Sequence, residues 1–306
     1  MLYHSTLDAI GNTPLIKLNR ITDGDTADIY AKYEAVNIGG SIKTRTAFNM
    51  IDDAEKKGLL NENSVIVECT SGNQGIALAM IGAIKGYRVI IVMPDSVSVE
   101  RRKLISHYGA QIRLVHDEGN IGACIEKCQQ IVNNSAREDP YVFVPGQFDN
   151  PANVAAQEKT GEEIIADLPE VDGFCSGIGT GGTLTGIGRV LRKHNPGMTI
   201  WAVEPENAAI LSGKQIGTHM QMGIGDGVIP SILDQKIYDD ICIITDKEAI
   251  EAAKMLAKKE GLLCGISSGT NIAAAIRLAK KLGKGKSVVT ILPDTGERYY
   301  STPLFD

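Results

Sequence analysis

Lys43 is the residue with the most chemistry open to it. It stands in AVNIGGSIKTRTAFNMIDDAEKKG, just after two glycines and at the start of a helical pattern, not on a lysine-rich face. A lysine at a loop-to-helix junction is ordinarily solvated. One that shares a pocket with a phosphate loop, a carboxylate loop and a hydroxyl suited to a ring nitrogen can instead form a Schiff base.

Three loops are candidates for that company. In VDGFCSGIGTGGTLTG, Gly177, Gly179 and Gly182 satisfy G-x-G-x-x-G between a strand and a helix, and Glu204 follows about 20 residues on, as a dinucleotide site requires. Alone, that spacing reads as NAD. The segment Gly179, Thr180, Gly181, Gly182, Thr183 equally suits a single phosphate, with converging backbone N–H groups, two hydroxyls and a helix N-terminus. Gly265 to Gly269, in CGISSG, match the G-x-S-x-G elbow of hydrolases, but that fold needs an acid and then a histidine after the serine. The last histidine is His219. Ser267 is therefore a hydrogen-bonding serine or an N-cap for TNIAAAIRLAKKLG. In ECTSGNQG, Thr70, Ser71, Gly72 and Asn73 combine hydroxyls, an amide and exposed N–H groups in a way that suits a carboxylate or a bare capping turn.

The elements needed to position these loops are visible from about residue 65 onward, where short apolar runs alternate with longer amphipathic stretches. SVIVECT, YRVIIVMP and QIRLV read as strands, with helices over NQGIALAMIGAIKG, SVERRKLISHYG and residues 119 to 134. A second βαβ series is expected to begin at YVFVPG. It continues through helix EKTGEEIIADL, strand VDGFCSGIG, helix TGIGRVLRKH and strand MTIWAVEP. Residues 206 to 230 read as loop, followed by helices ITDKEAIEAAKMLAKKEG and TNIAAAIRLAKKLG and strand KSVVTILP. Two such blocks predict α/β architecture with two doubly wound domains of parallel sheet and a ligand cleft between them.

Composition narrows the function classes. The 306 residues include 33 Gly but 5% aromatics, and the net charge is −6, so nucleic acid and anionic membranes are not expected partners. No secretory signal pattern or long apolar span is present, and six scattered cysteines read as reduced thiols, so the reading is cytoplasmic. Cys124 and Cys128 can share a helix face, but neither a CxxC nor a nearby histidine completes a site, so no metal is expected.

The motifs together resemble the cysteine synthase or O-acetylserine sulfhydrylase group of fold-type II pyridoxal phosphate enzymes, a family related to cystathionine β-synthase. The matching segments are GNTPLIKLNR, N-x-x-x-S-x-K-x-R (37 to 45), TSGNQGIALA, MPDSVSVERRK, QFDNPAN, SGIGTGGTLTG, VEPE, GISSGT and ILPDTGERYYST, in order along nearly the whole chain. The resemblance implies a tryptophan synthase β-subunit-like fold, with residues 38–145 as a smaller mobile substrate-loop domain. Residues 1–37 and 146–306 would then form a larger cofactor-binding domain. It implies pyridoxal 5′-phosphate on Lys43, the cofactor phosphate on Gly179 to Thr183, the ring hydroxyl near Asn73 and the pyridine nitrogen near Ser267. Thr70, Ser71, Gly72, Asn73 and Gln147 would take the substrate carboxylate. The implied reaction is β-elimination and β-replacement, most commonly O-acetylserine plus sulfide giving cysteine, by a homodimer acting on small amino acids. A nicotinamide oxidoreductase and a non-catalytic binding module stand as readings of other classes.

Two departures from the family pattern bear on chemistry. The lysine segment N-P-x-x-S-V-K-D-R carries Ile38 for Pro and Thr44 for Asp, which relaxes the turn and removes a charge beside Lys43. GIGDGVIP, where G-I-G-A-G-F-I-P is common, places the carboxylate of Asp226 in a cleft loop. Asp226 is either a solvated loop residue or a base for an incoming nucleophile, which would turn the enzyme towards consuming cysteine and releasing sulfide.

Overall fold

The computed structural model describes residues 2–22, 24–70, 72–116, 122–138 and 141–306. Ser71, one of the expected carboxylate residues, and residues 119 to 121 of the expected fourth helix lie outside the described residues.

Two sheets organise the chain. The smaller has the order β5-β4-β3-β6, from β3 (Val65–Cys69), β4 (Arg88–Pro94), β5 (Gln111–Val115) and β6 (Val142–Phe143). All its pairings are parallel. Every residue of β3 is buried, the pattern expected of a parallel strand covered on both faces. One face is covered by helices α1 (Lys43–Lys56), α2 (Asn73–Lys85) and α3 (Val99–His107), whose core includes Ala47, Ile51, Ile66, Ile76 and Ile105. The other face is covered by α4 (Gly122–Glu138), where Cys124 and Cys128 do share a buried side, packed with Cys69 and Val92.

The larger sheet has the order β1-β2-β10-β7-β8-β9. Its strands are β1 (Leu15–Leu18), β2 (Asp28–Tyr33), β7 (Gly173–Gly177), β8 (Thr199–Pro205), β9 (Asp240–Ile244) and β10 (Ser287–Leu292). Helices α5 (Pro151–Asp167) and α6 (Gly182–His194) lie on one face around Phe174, Leu184, Ile187 and Val289. Helices α7 (Asp246–Glu260) and α8 (Ile266–Leu282) cover the other around Cys175, Leu256, Ile272 and Leu278. All six cysteines are free and buried. Among the described residues no helix is long and apolar enough to cross a membrane.

Four local differences from expectation have physical reasons. YVFVPG opens no second series: only Val142 and Phe143 pair, and they extend the smaller sheet beside β3. The antiparallel edge pair β1–β2 precedes the readable alternation, and β2 pairs in parallel with β10 from the far end of the chain. Strand β9, DICII, is too short for its period to separate from the helix signal that follows it. Helix α8 begins at Ile266 with Gly265 as N-cap, so Ser267 lies in the first turn and is not itself the cap.

Candidate active site

The cleft opens between the carboxyl ends of the two sheets, where parallel strands leave backbone N–H groups and helix N-termini facing a ligand. Lys43, Thr70, Asn73 and Gln147 line it from one side. Gly179, Thr180, Gly181, Thr183, Asp226 and Ser267 line it from the other. Gly72 and Gly182 sit at the N-termini of α2 and α6 beside these lining residues. The described members of all three sequence-predicted loops and the lysine therefore converge.

Lys43 is the first residue of α1. Burial holds its amine below the ordinary lysine range, with the nearby carboxylates of Asp226 and Asp294 pulling the other way. A lowered amine is the form that can attack a carbonyl. The turn before it is not relaxed, despite Ile38. The hydroxyl of Thr44 donates to the Ile38 carbonyl at 2.6 Å and closes the loop that proline would otherwise stiffen.

Behind Lys43, Arg45 is buried between Glu34 and Glu163. Its Nε lies 2.9 Å from Glu34 Oε2 and its NH1 lies 2.6 Å from Glu163 Oε1. Lys32 adds a contact to Glu163 at 2.9 Å. Despite the cost of burying it, Glu163 is held down at about 2 by Arg45 and Lys32. This network ties the root of α1 to α5.

The phosphate-type loop is a close-fitting backbone cradle. A Cβ on Gly179 would stand 2.5 Å from the Gly223 carbonyl, and one on Gly182 would stand 2.3 Å from Asn153 Oδ1. Gly181, with φ of 78°, is the left-handed N-cap of α6. The Asn153 amide donates to Thr180 Oγ1 at 3.0 Å and to the Gln147 carbonyl at 2.8 Å, so one side chain fixes both the phosphate loop and the segment that carries Gln147. Side-chain-free backbone, two threonine hydroxyls and the start of a 13-residue helix fit a phosphate monoester. Ser267, almost fully buried, lines the cleft in the first turn of α8. With a lysine of lowered basicity nearby, these residues fit pyridoxal phosphate.

A dinucleotide fits less well. Glu204, which would bind a ribose, is buried and accepts from the backbone N–H groups of Leu211 (2.8 Å) and Ser212 (3.2 Å) and from the Ser212 hydroxyl. It is committed to holding the loop after β8.

The carboxylate loop turns on Gly72, whose φ of 146° and missing Cβ both matter: a Cβ there would lie 2.4 Å from Arg101 Cδ. Gly72 N–H donates to Thr70 Oγ1 at 3.1 Å, and Gln147 Nε2 donates to the Cys69 carbonyl at 3.2 Å. Beneath it, buried Glu68 is pushed up to about 8 by desolvation, which the backbone N–H groups of Cys69, Gln147 and Gly146 only partly offset.

Asn73 is engaged at both ends: its Nδ2 donates to Asp294 Oδ2 at 2.7 Å, and its Oδ1 accepts from Arg298 NH1 at 2.6 Å. Sequence reasoning missed Asp294, Arg298 and Asn153. Their segments, ILPDTGERYYST and QFDNPAN, were visible, but nothing in the spacing said which side chains would turn inward. Asp226, with its carboxyl held above the usual range by burial against the opposing pull of Lys43 and His219, is half-buried and lines the cleft.

Comparison with known proteins agrees with this geometry. The family model described as pyridoxal-phosphate dependent enzyme matches residues 6–294. The chain is 46% identical over 299 residues to a cysteine synthase of Staphylococcus aureus, covering 97% of this chain and 95% of that protein. Among solved structures, O-ureido-L-serine synthase superposes with a TM-score of 0.93 at 42% identity, covering 100% of this chain and 96% of that one. A hydrogen sulfide-producing enzyme from Fusobacterium nucleatum also superposes with a TM-score of 0.93 at 42% identity, covering 97% and 100%. The chain is a member of the pyridoxal-phosphate dependent enzyme family, in the branch that includes cysteine synthase.

Proposed function

We propose that the protein exchanges the β-substituent of a serine-type or cysteine-type amino acid, with cysteine formation from O-acetylserine and sulfide as the leading reaction. The observation that carries this reading is the cleft itself, in which a lysine of lowered basicity faces a phosphate cradle and a carboxylate loop. Pyridoxal phosphate, when bound, supplies an electron sink for the charge left at Cα. The chain supplies the rest. Thr70, Ser71, Gly72, Asn73 and Gln147 bind and orient the substrate carboxylate. Gly179 to Thr183 would hold the cofactor phosphate, Asn73 would meet its ring hydroxyl and Ser267 its ring nitrogen. A serine hydroxyl at that nitrogen would not enforce a full positive charge there, a setting suited to loss of a β-substituent. Lys43, freed by the substrate amine, takes the Cα proton.

Asp226 favours a second reading in the same cleft. Its carboxyl, half-buried in the cleft that Lys43 also lines, accepts the proton of water or a thiol adding at Cβ, so that cysteine loses sulfide and becomes serine or lanthionine. Residues 38–145 move as the smaller lobe when the carboxylate binds and exclude water from the site. Six buried, free thiols favour a cytoplasmic setting. Homodimeric assembly is supported by the family resemblance alone.

Two incubations of the cofactor-loaded enzyme test this, one with O-acetylserine plus sulfide and one with L-cysteine alone, each repeated with Asp226→Ala. The expected results are cysteine from the first and, where Asp226 assists the nucleophile, sulfide release in the second that falls ~100-fold or more in the variant. Sulfide release unchanged in Asp226→Ala overturns the role of that carboxylate. Absence of product in both incubations overturns the function.

A further inference from the structure

Arg101, on α3, is buried to 1% exposure in the wall between the carboxylate loop and the loop that carries Asp226. Its aliphatic stem occupies the space a side chain on Gly72 would need. Its NH2 donates to the Tyr299 hydroxyl at 2.8 Å, its NH1 donates to Met222 Sδ at 3.0 Å, and its guanidinium lies 4.8 Å from the centre of the Tyr299 ring. The Tyr299 hydroxyl in turn donates to Asp294 Oδ2 at 2.8 Å, the same oxygen that accepts from Asn73. The contacts close a ring: Gly72 and Asn73, Asp294, Tyr299, Arg101, and back to Gly72. Met222 is the branch from this ring towards Asp226, four residues further on, and both line the cleft.

Helix α3 is also fixed to the C-terminal segment at two further points. Ser98 Oγ donates to the Arg298 carbonyl at 3.0 Å, and Ser301 Oγ donates to Glu100 Oε2 at 2.9 Å. Arg101 Nε has no partner among the described residues. A fully buried guanidinium with one donor unmet is costly; its NH2 also lies 3.7 Å from Asp294 Oδ2, a buried ion pair that offsets part of that cost and joins Arg101 directly to the acceptor of Asn73.

Resting on the proposed β-replacement reading, we propose that Arg101 is a positioning residue that couples carboxylate binding at the Thr70 to Asn73 loop to the placement of the Met222 to Asp226 loop. A substrate carboxylate settling on the first loop tightens it against the Arg101 stem, and the guanidinium holds the second loop where Asp226 meets the incoming nucleophile. By linkage, the second loop in place strengthens carboxylate binding by the same factor. A ligand without a carboxylate leaves the coupling unused.

The test compares L-cysteine with cysteamine, the same amine and thiol without the carboxylate, by titrating the absorbance of the cofactor-loaded enzyme. Wild type is expected to bind cysteine more tightly. Arg101→Met is expected to lose ~10-fold or more of its cysteine affinity, within the usual range of coupling, while cysteamine affinity stays within about twofold. Equal loss for both ligands, or loss for neither, overturns the proposal. If Arg101→Met does not take up the cofactor, Tyr299→Phe, which removes one hydroxyl and keeps the ring, takes its place. Selective loss of cysteine affinity in that variant supports the coupling, and equal loss or none overturns it. Wild type that shows no absorbance change with cysteine or O-acetylserine overturns the parent reading instead, and the coupling with it.

Discussion

The two roots of the cleft bury carboxylates in opposite ways. At the root of α1, Glu163 and Glu34 are met by Arg45 and Lys32, so charge is buried with charge. At the end of β3, Glu68 is buried with only backbone donors nearby, and its Oε2 has no partner among the described residues. The first arrangement fixes the helix that carries Lys43 to α5. The second leaves Glu68 without a cationic partner, while the strand end that carries the carboxylate loop is held by its parallel ladder to β4, by apolar packing and by Gln147. A lysine that must meet a cofactor atom needs a fixed root, which the ionic network supplies.

Breaking the charged root should have the larger effect. Arg45→Met strands Glu34 and part of Glu163, and removing one partner of a buried ionic network costs about 3–5 kcal/mol. Denaturant unfolding should show a loss of that size, and a loss under about 1 kcal/mol would mean that the network does not fix α1. The pair has a definite pH signature. Because Glu163 is depressed to about 2, its stabilisation is complete above the ordinary carboxylate range and is lost as pH falls from about 4.5 towards 2.

The uncharged root should behave in the opposite sense and with a smaller effect. Glu68 is raised to about 8, so the folded state favours its protonated form, and stability is lost as pH rises from about 4.5 through 8. Glu68→Gln should flatten that decline, gaining on the order of 2 kcal/mol over wild type at pH 8 after allowing for relaxation around the site. Parallel stability curves for the two proteins across that range would place Glu68 with the paired carboxylates and dissolve the contrast.

The contrast was only half legible in the amino-acid sequence. Lys43, the glycine loop and the Thr70 to Asn73 segment can be read because glycines, hydroxyls and strand-to-helix transitions carry local signals. The alternation of β3, α2, β4 and α3 is legible for the same reason. Glu163 lies 118 residues from Arg45, and no local rule pairs it with Arg45 or Glu34. Asp294 and Arg298 act through contacts with Asn73, which lies over 200 residues away, and Asn153 through a bond to Thr180 across two elements that no local pattern joins. Strands β1 and β2 escape for a related reason, since β2 acquires its parallel partner from β10 at the other end of the chain. Asp226 was visible as a departure from pattern, but only the fold brings it, half-buried, into the same cleft as Lys43.

The central claim is that Lys43, at its fixed root, is the residue that holds pyridoxal phosphate. Borohydride reduction of the cofactor-loaded protein fixes the cofactor to whichever lysine it is bonded to, and mass spectrometry of the digested chain locates that lysine. The reduced cofactor is expected on the peptide containing Lys43 and on no other lysine, with no label in Lys43→Ala. Label on a different lysine, or label that persists in Lys43→Ala, would contradict it.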